Sequence, residues 1–380
     1  MDKCLRPKQI DGFRCDGARC GSSCCKEWRI TVDDATLDKW RSIENKAERE
    51  KILAGVIADE KRHKTKIREN GACHYLREDG LCLLQHDYGA DFLADVCHEY
   101  PRVTYRLRED YVEQCLTLTC PVATELILRN KEPLEFIEDE LSVGRENFVV
   151  DMRDKGLPPL NELLDVQGIG IGILQDRRFN VDMRLFLLSV VCEAFDKGEH
   201  NTPASALLTA KNMAKLMTQG LDLAEQNRFT PRKYLEYITQ LFAAVYDSSY
   251  DEERLRSMLY LYDGCYGAFF ADVLTGKRHI MENFAVNKFF MTLCPYTNDG
   301  SLSFNCRAFV LGVKLTEFAL FVTAAKDGGR MTEHDMLKII AYVGERLDHN
   351  KDTARIIRRF AAMDSESEKK FRATLLNTAL

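Results

Sequence analysis

The sequence predicts a mainly α-helical protein whose N-terminal part is a cysteine-rich metal-binding region with a short β-hairpin. Two observations carry that prediction. Ten of the fourteen cysteines lie in the first 120 residues, within a loop-like, glycine-containing texture. Beyond about residue 130, stretch after stretch repeats apolar residues at helical spacing, with no strand–helix alternation of the kind that builds a parallel sheet. We therefore expect two domains, a cysteine-rich one over residues 1–130 and an α-helical one over 131–380, and not a Rossmann-type fold.

Taken in order, the first 35 residues read as loop, closing with a short strand in EWRITVDD. From Thr36 to about Glu69 the chain is charged and helical in pattern, with Thr36 as N-cap and Leu37, Trp40, Ile43 and Ala47 as its apolar stripe. A turn is expected at Glu78-Asp79-Gly80, then a short helical stretch through Phe92 and Leu93. RVTYRLREDYVEQCLTLTC alternates on either side of Arg108-Glu109-Asp110, the pattern of a hairpin, and Pro121 opens a helix through Leu128. EPLEFIEDEL, RRFNVDMRLFLLSVVCEAF, PASALLTAKNMAKLM, PRKYLEYITQLFAAVY, DEERLRSMLYLY, MENFAVNKFFMTL, FNCRAFVLGVKLTEFALFVTAA and TEHDMLKIIAYVGERL all read as helices.

Composition narrows the function classes. The net charge of −6 is spread along the chain, and residues 1–130 carry 22 Lys/Arg against 23 Asp/Glu, so no basic arm for nucleic acid is expected. Apolar runs such as Leu185–Cys192 fall short of the ~20 residues of a membrane span. MDKCLRPKQIDGF lacks the basic-then-apolar layout of a signal peptide, which leads us to expect a cytoplasmic protein with reduced thiols. Cys192, Cys265, Cys294 and Cys306, scattered through apolar sequence, read as small buried hydrophobes.

The N-terminal cysteines are a different matter. Thiolates gather where a cation takes the place of the proton each must lose, and loops without an apolar core fold around such an ion. Cys15, Cys20, Cys24 and Cys25 form a first group; Cys73 and Cys82 bracket a turn; Cys97 and Cys120 come from later elements. The C-x4-C and C-x3-C-C spacings match neither a zinc knuckle nor the usual ferredoxin runs. Eight thiolates exceed one tetrahedral zinc, leaving two zincs or one or more iron–sulfur clusters. A radical S-adenosylmethionine motif, C-x3-C-x2-C, begins at Cys20 but meets Glu27 where its third cysteine belongs. His74, His86 and His98 are alternative imidazole ligands.

FRCDGARCGSSCCKEWRITVD, CHYLREDGLC, LADVCHEYPRV and LTLTCPVA, in that order, resemble the flagellin lysine-N-methylase family. Their first part is shared with a broader group of zinc- or iron-chelating cysteine-cluster proteins, and MENFAVNKFFMTLCPY resembles the C-terminal part of the methylases. The resemblance implies an enzyme that methylates the ε-amino groups of surface lysines on flagellin. It implies S-adenosylmethionine as donor and an iron–sulfur cluster of the [4Fe-4S] type, with zinc as the alternative metal. It implies Cys15, Cys20, Cys24, Cys25, Cys73, Cys82, Cys97 and Cys120 as metal-ligand candidates, with Cys4 and Cys115 outside the pattern. The competing readings are a zinc-stabilised interaction module without chemistry and a redox or metal-handling protein.

Direct methyl transfer needs a neutral amine, against a free lysine pKa of about 10.4. Glu99, Tyr100 and Tyr105 are conceivable proton acceptors, with ordinary surface roles as their default. Arg177, Arg178 and Arg184 could hold a carboxylate, a solvated helix face being the default. LLDVQGIGIGIL (Leu163–Leu174) superficially resembles a glycine-rich cofactor loop, but the helical sequence after it makes a flexible inter-domain connection the expectation. No residue is assigned to the donor site or to catalysis.

Overall fold

The computed structural model describes the chain apart from residues 18–19, 21–22, 27, 60–61, 146–147, 199–230, 247–252, 254–255, 258–259, 262–275, 297–299, 327, 365–366, 369–370, 373–374 and 376–380. The chain divides into two compact units, Met1–Leu126 with Glu135–Gly156, and Ile127–Leu134 with Leu157–Leu380. The helices expected in PASALLTAKNMAKLM and, for the most part, DEERLRSMLYLY lie outside the described residues, as does Cys265.

The N-terminal unit holds more strand than a single hairpin. Its elements are β1 (Asp2–Pro7), β2 (Thr31–Val32), α1 (Asp34–Arg41), α2 (Lys46–Leu53), β3 (Val56–Asp59), β4 (Arg62–Thr65), α3 (Leu83–Tyr88), α4 (Asp95–Glu99), β5 (Arg102–Arg108) and β6 (Tyr111–Leu116). α5 (Pro121–Leu128) begins in this unit, and β7 (Phe136–Leu141) and β8 (Val150–Asp151) complete it. Five strands form a mixed sheet in the order β7-β1-β6-β5-β8, and three form a small sheet in the order β2-β4-β3.

The expected β5–β6 hairpin is present, pairing Arg102 with Leu116 and Thr104 with Gln114. Two expectations fail beside it. β1, read as loop, runs parallel to β6 (Lys3 opposite Tyr111) and antiparallel to β7 over its whole length. β7 occupies the second half of EPLEFIEDEL, read as helix; pairing with β1 overrides a coincidental 3–4 spacing of apolar residues. Arg6 on β1 is buried and donates to Asp139 on β7 at 2.6 Å and to Asp11 at 2.5 Å.

The helix expected from Thr36 to Glu69 is instead two short ones, α1 and α2, broken between Arg41 and Lys46 and ending at Leu53, after which β3 and β4 form a hairpin pairing Val56 with Thr65. The N-cap of α1 is Asp33 rather than Thr36: the Asp33 carboxylate accepts from the Thr36 backbone N–H at 2.8 Å and from its hydroxyl at 2.9 Å. Leu37 and Trp40 of the expected stripe are buried in a core with Val32, Ile52, Tyr75, Leu84 and Leu93, while Ala47 is exposed. Trp40 satisfies its indole N–H on the Phe92 carbonyl at 2.9 Å, which ties α1 to the segment leading into α4.

The second unit is helical: α6 (Leu160–Leu174), α7 (Val181–Asp196), α8 (Pro231–Tyr246), α9 (Arg278–Met291), α10 (Leu302–Lys326), α11 (Glu333–His349) and α12 (Lys351–Ala361). α6 replaces the flexible connection expected at LLDVQGIGIGIL. Gly170 is where the helix needs glycine, because a Cβ there would lie 2.3 Å from Cζ of the Phe289 ring. Gly168 and Gly172 face open space. A loop that cradles phosphate is thereby excluded at this stretch. α10 is long and apolar enough to cross a membrane, which the run-length reading missed, yet 83% of its apolar window is buried within the protein, the condition of a core helix.

Three helix starts here carry side-chain caps. Asn180 accepts from Met183 N–H, Thr332 and Asp335 form a reciprocal capping box, and Asn350 serves the first turn of α12. The core also carries paired charge. Lys314 donates to Asp182 at 2.8 Å and Glu317 at 2.7 Å, all three buried.

Candidate metal centre

One cavity of about 630 Å³ lies in the N-terminal unit, and seven of the eight candidate cysteines line it: Cys15, Cys20, Cys24, Cys25, Cys82, Cys97 and Cys120. Cys73, the eighth, sits behind Cys25, its backbone N–H donating to the Cys25 carbonyl at 2.8 Å. Residues separated by more than a hundred positions thus reach one place. Cys24 and Cys25 follow each other in a short 3-10 turn, their sulfurs 4.0 Å apart. Cys82 immediately precedes α3, Cys97 is on α4, and Cys120 immediately precedes α5.

α4 is braced from two sides. The Asp95 N–H donates to the Asp33 carboxylate at 3.0 Å, and the Asp95 carboxylate accepts from Arg145 at 2.5 Å. Cys97 and Cys15 have solvent-accessible surface, but that surface faces the cavity and protein surrounds it.

Burial and neighbouring thiols favour the protonated form of Cys15, Cys25, Cys73, Cys82, Cys97 and Cys120. Burial pushes Cys82 and Cys120 up to about 11, against backbone N–H groups that favour their thiolates: Gln85 and Leu84 at Cys82, Ala123 and Val122 at Cys120. Cys97 is raised well above a free thiol by burial and then by Cys82, Cys25 and Cys73. Cys15 and Cys73 are raised for the same first reason. Cys25 is raised first by its hydrogen bond with Cys24 and then by burial. Several thiolates can coexist here only around a cation that takes the place of their protons.

The donor set fits a soft metal centre. Among the described residues no three His, Cys, Asp or Glu side chains converge on a single point as one ion would require. An iron–sulfur cluster asks for something else, thiolates distributed around a void with each sulfur reaching a different iron. Seven cysteines lining one cavity are compatible in donor type with such a group.

The imidazoles divide. His86 and His98 line the cavity; the His86 ring bonds Asp87 at 2.6 Å and the His98 ring bonds Glu99 at 2.8 Å. His74 is not among the lining residues and packs edge-on to Tyr75, with ring centroids 5.3 Å apart. Glu99 and Tyr100 line the cavity, the Tyr100 hydroxyl bonding Thr119 at 2.9 Å and its ring meeting Trp28 edge-on. Tyr105 does not line it; on β5 the residues facing the cavity are Arg102 and Thr104. Trp28, Arg102 and Gln114 were not singled out by sequence reasoning, and only the hairpin register could have placed the last two. Cys4 and Cys115 are buried in the five-stranded sheet.

Of the three arginines Arg184 alone is buried, while Arg177 and Arg178 keep solvent exposure. Arg184 is buried, donating to Glu282 at 2.8 Å and to the Leu174 and Phe179 carbonyls, and Arg177 holds the same carboxylate at 2.9 Å. Arg178 pairs with Asp176. Cys192, Cys294 and Cys306 are buried together in the helical unit.

A mainly helical chain with a thiol-lined cavity beside a mixed sheet defines a cysteine-cluster protein with a separate helical unit. Residues 168–367 match the model of the FliB lysine N-methylase C-terminal domain, and the chain belongs to that family. It is 32% identical over 137 residues to the lysine-N-methylase of Salmonella choleraesuis (strain SC-B67), a stretch covering 35% of this chain and 34% of that protein. It is 32% identical over 133 residues to the flagellar biosynthetic protein FliU of Salmonella muenchen, covering 34% of this chain and 78% of that one. A lysine-N-methylase of Salmonella typhimurium (strain LT2) is 31% identical over 137 residues, 35% of this chain and 34% of that protein. The matched stretch spans about a third of the length of these lysine-N-methylases. No solved structure matches the chain.

Proposed function

We propose that this chain is a protein-lysine N-methyltransferase, acting in the cytoplasm on surface lysines of flagellin with S-adenosylmethionine as donor. We propose further that an iron–sulfur cluster of the [4Fe-4S] type is held by cysteines of the N-terminal unit. The observation that carries this reading is the thiol-lined cavity, found in a chain of the lysine N-methylase family. The names of the Salmonella relatives support lysine methylation and a flagellar substrate.

When bound, such a cluster supplies a redox-active, Lewis-acidic centre. The chain's own residues would do the rest. Apolar and aromatic groups at the cavity wall, Phe13, Trp28, Leu93 and Val96 among them, exclude water from an entering amine and so favour its neutral form. Glu99, held by the His98 ring at 2.8 Å, is placed to accept the proton the lysine ammonium must lose. The Tyr100 hydroxyl, fixed on Thr119, offers a hydrogen bond to orient the nitrogen.

The test is iron, zinc and acid-labile sulfide analysis of protein purified without oxygen, followed by transfer of labelled methyl from S-adenosylmethionine to purified flagellin. About four iron and four sulfide per chain, together with label on lysine, is the expected result. Stoichiometric zinc with no sulfide and no transfer would overturn the proposal in favour of a zinc-stabilised interaction module.

A further inference from the structure

Three arginines among the described residues line the N-terminal cavity, and their charges are met in different ways. Arg145 donates to the Asp95 carboxylate at 2.5 Å. Arg14 donates to the Asp11 and Phe13 carbonyls at 3.0 and 2.7 Å. Arg102 makes no hydrogen bond or ion pair to any described residue; its guanidinium lies over the Phe13 ring, 5.2 Å from the centroid. Contact with a ring leaves the five N–H donors of a guanidinium open to an acceptor.

The same strand supplies the contrast. Alternation along β5 turns Arg102, Thr104 and Arg106 to one face of the sheet. Arg106, buried further along, donates to the Asp2 carboxylate at 2.9 Å and to the Glu109 carbonyl at 3.1 Å. Arg102 is only partly exposed, yet Glu99 on the same cavity wall is engaged by the His98 ring at 2.8 Å. A guanidinium drawn partly out of water without an acceptor carries a desolvation cost, which an anion entering the cavity would offset. The neighbouring wall is aromatic: the Trp28 and Tyr100 rings meet edge-on with centroids 5.5 Å apart, Tyr100 standing two residues before Arg102. Such rings take an adenine against their apolar faces and attract a compact cation by their π electrons.

We propose that Arg102 is the carboxylate anchor of the methyl-donor site. Its guanidinium binds the methionyl carboxylate of S-adenosylmethionine, and Trp28 and Tyr100 wall the adenosyl and sulfonium part of the same molecule. The donor has the three features this wall can recognise: an anionic end, a cationic sulfur and an aromatic base. Arg102 binds and orients the donor and takes no part in moving a proton or the methyl group. The assignment rests on the donor part of the reading above.

The test is isothermal titration calorimetry on the intact chain, purified without oxygen and with its metal content measured. The ligands are S-adenosylmethionine, S-adenosylhomocysteine and methylthioadenosine, the last of which keeps the adenosyl sulfur but lacks the carboxylate. The unaltered chain should bind S-adenosylhomocysteine more tightly than methylthioadenosine. Arg102→Gln should weaken S-adenosylhomocysteine by roughly 10- to 100-fold, the range of a charge-assisted hydrogen bond, and move methylthioadenosine by less than about threefold. Circular dichroism and metal content should stay as they were, and Arg102→Lys should recover part of the loss. Equal weakening of both ligands would make Arg102 a shaper of the cavity, metal lost from Arg102→Gln would put its charge at the metal centre, and unchanged binding would leave it no role. Each of these overturns the anchor and leaves the donor reading standing. An unaltered chain that binds neither S-adenosylmethionine nor S-adenosylhomocysteine would overturn the donor reading itself.

Discussion

The three glycines of QGIGIGIL offer a sharp test, because helix and cofactor loop demand opposite things of them. In α6, Gly168 and Gly172 face open space, so Gly168→Ala and Gly172→Ala should each stabilise the helical unit by roughly 0.8–1.0 kcal/mol, the helix-propensity difference between the two residues. Gly170→Ala gains the same propensity but drives its Cβ to 2.3 Å from Cζ and 2.6 Å from Cε1 of Phe289. Phe289 is fully buried and has little room to yield. Overpacking of that kind costs about 1–3 kcal/mol. The difference between Gly170→Ala and either neighbour cancels propensity and isolates the clash, so about 1–3 kcal/mol should separate them. Urea denaturation followed by far-ultraviolet circular dichroism measures all three variants. Loss of stability in Gly168→Ala or Gly172→Ala, or a Gly170→Ala no less stable than they are, would refute the helical reading.

Three further outcomes are expected. Glu282→Gln removes the carboxylate that Arg177 and Arg184 share and strands the buried Arg184 charge, so stability should fall by about 3–5 kcal/mol in the same denaturation assay. Arg6 holds the Asp139 carboxyl, and Arg106 the Asp2 carboxyl, below the usual carboxylate range by hydrogen bonding. Their stabilisation is complete above about pH 4 and is lost as pH falls below it; Asp2→Asn with Asp139→Asn should flatten the acid limb of a pH titration of the N-terminal unit. Glu99→Gln removes the proposed proton acceptor, and methyl transfer to flagellin should drop by about 10²-fold or more with metal content unchanged.

What the sequence could and could not say follows from the range of the forces involved. The hairpin at Arg108–Asp110 and the helix opened by Pro121 were legible because turn chemistry and period are local. The candidate cysteines were singled out by residue type alone, and seven of the eight line one cavity. β1 and β7 were not, because a short polar strand such as DKCLRP owes its state to a partner more than a hundred residues away. α6 hid behind its glycines, whose cost is offset by close approach of Phe289, a contact no local pattern announces. Arg184 looked like surface because Glu282, the partner that makes its burial tolerable, lies 98 positions further on.

The segment Ile127–Leu134 has a consequence for anyone dissecting the chain. It belongs to the helical unit although the sheet strands that follow it return to the other. Its main-chain carbonyls are spoken for: Ile127 and Asn130 accept from the buried Asn283 amide, Lys131 accepts from Arg177, and Leu134 accepts from Gln175. A truncation starting at residue 168, where the family match begins, would discard this splint and expose the Asn283 amide with nothing to bind. The polypeptide passes between the units three times, so no single cut frees either one whole. A separable helical fragment would need Ile127–Leu134 grafted back onto its front, for instance through a short linker into Leu157.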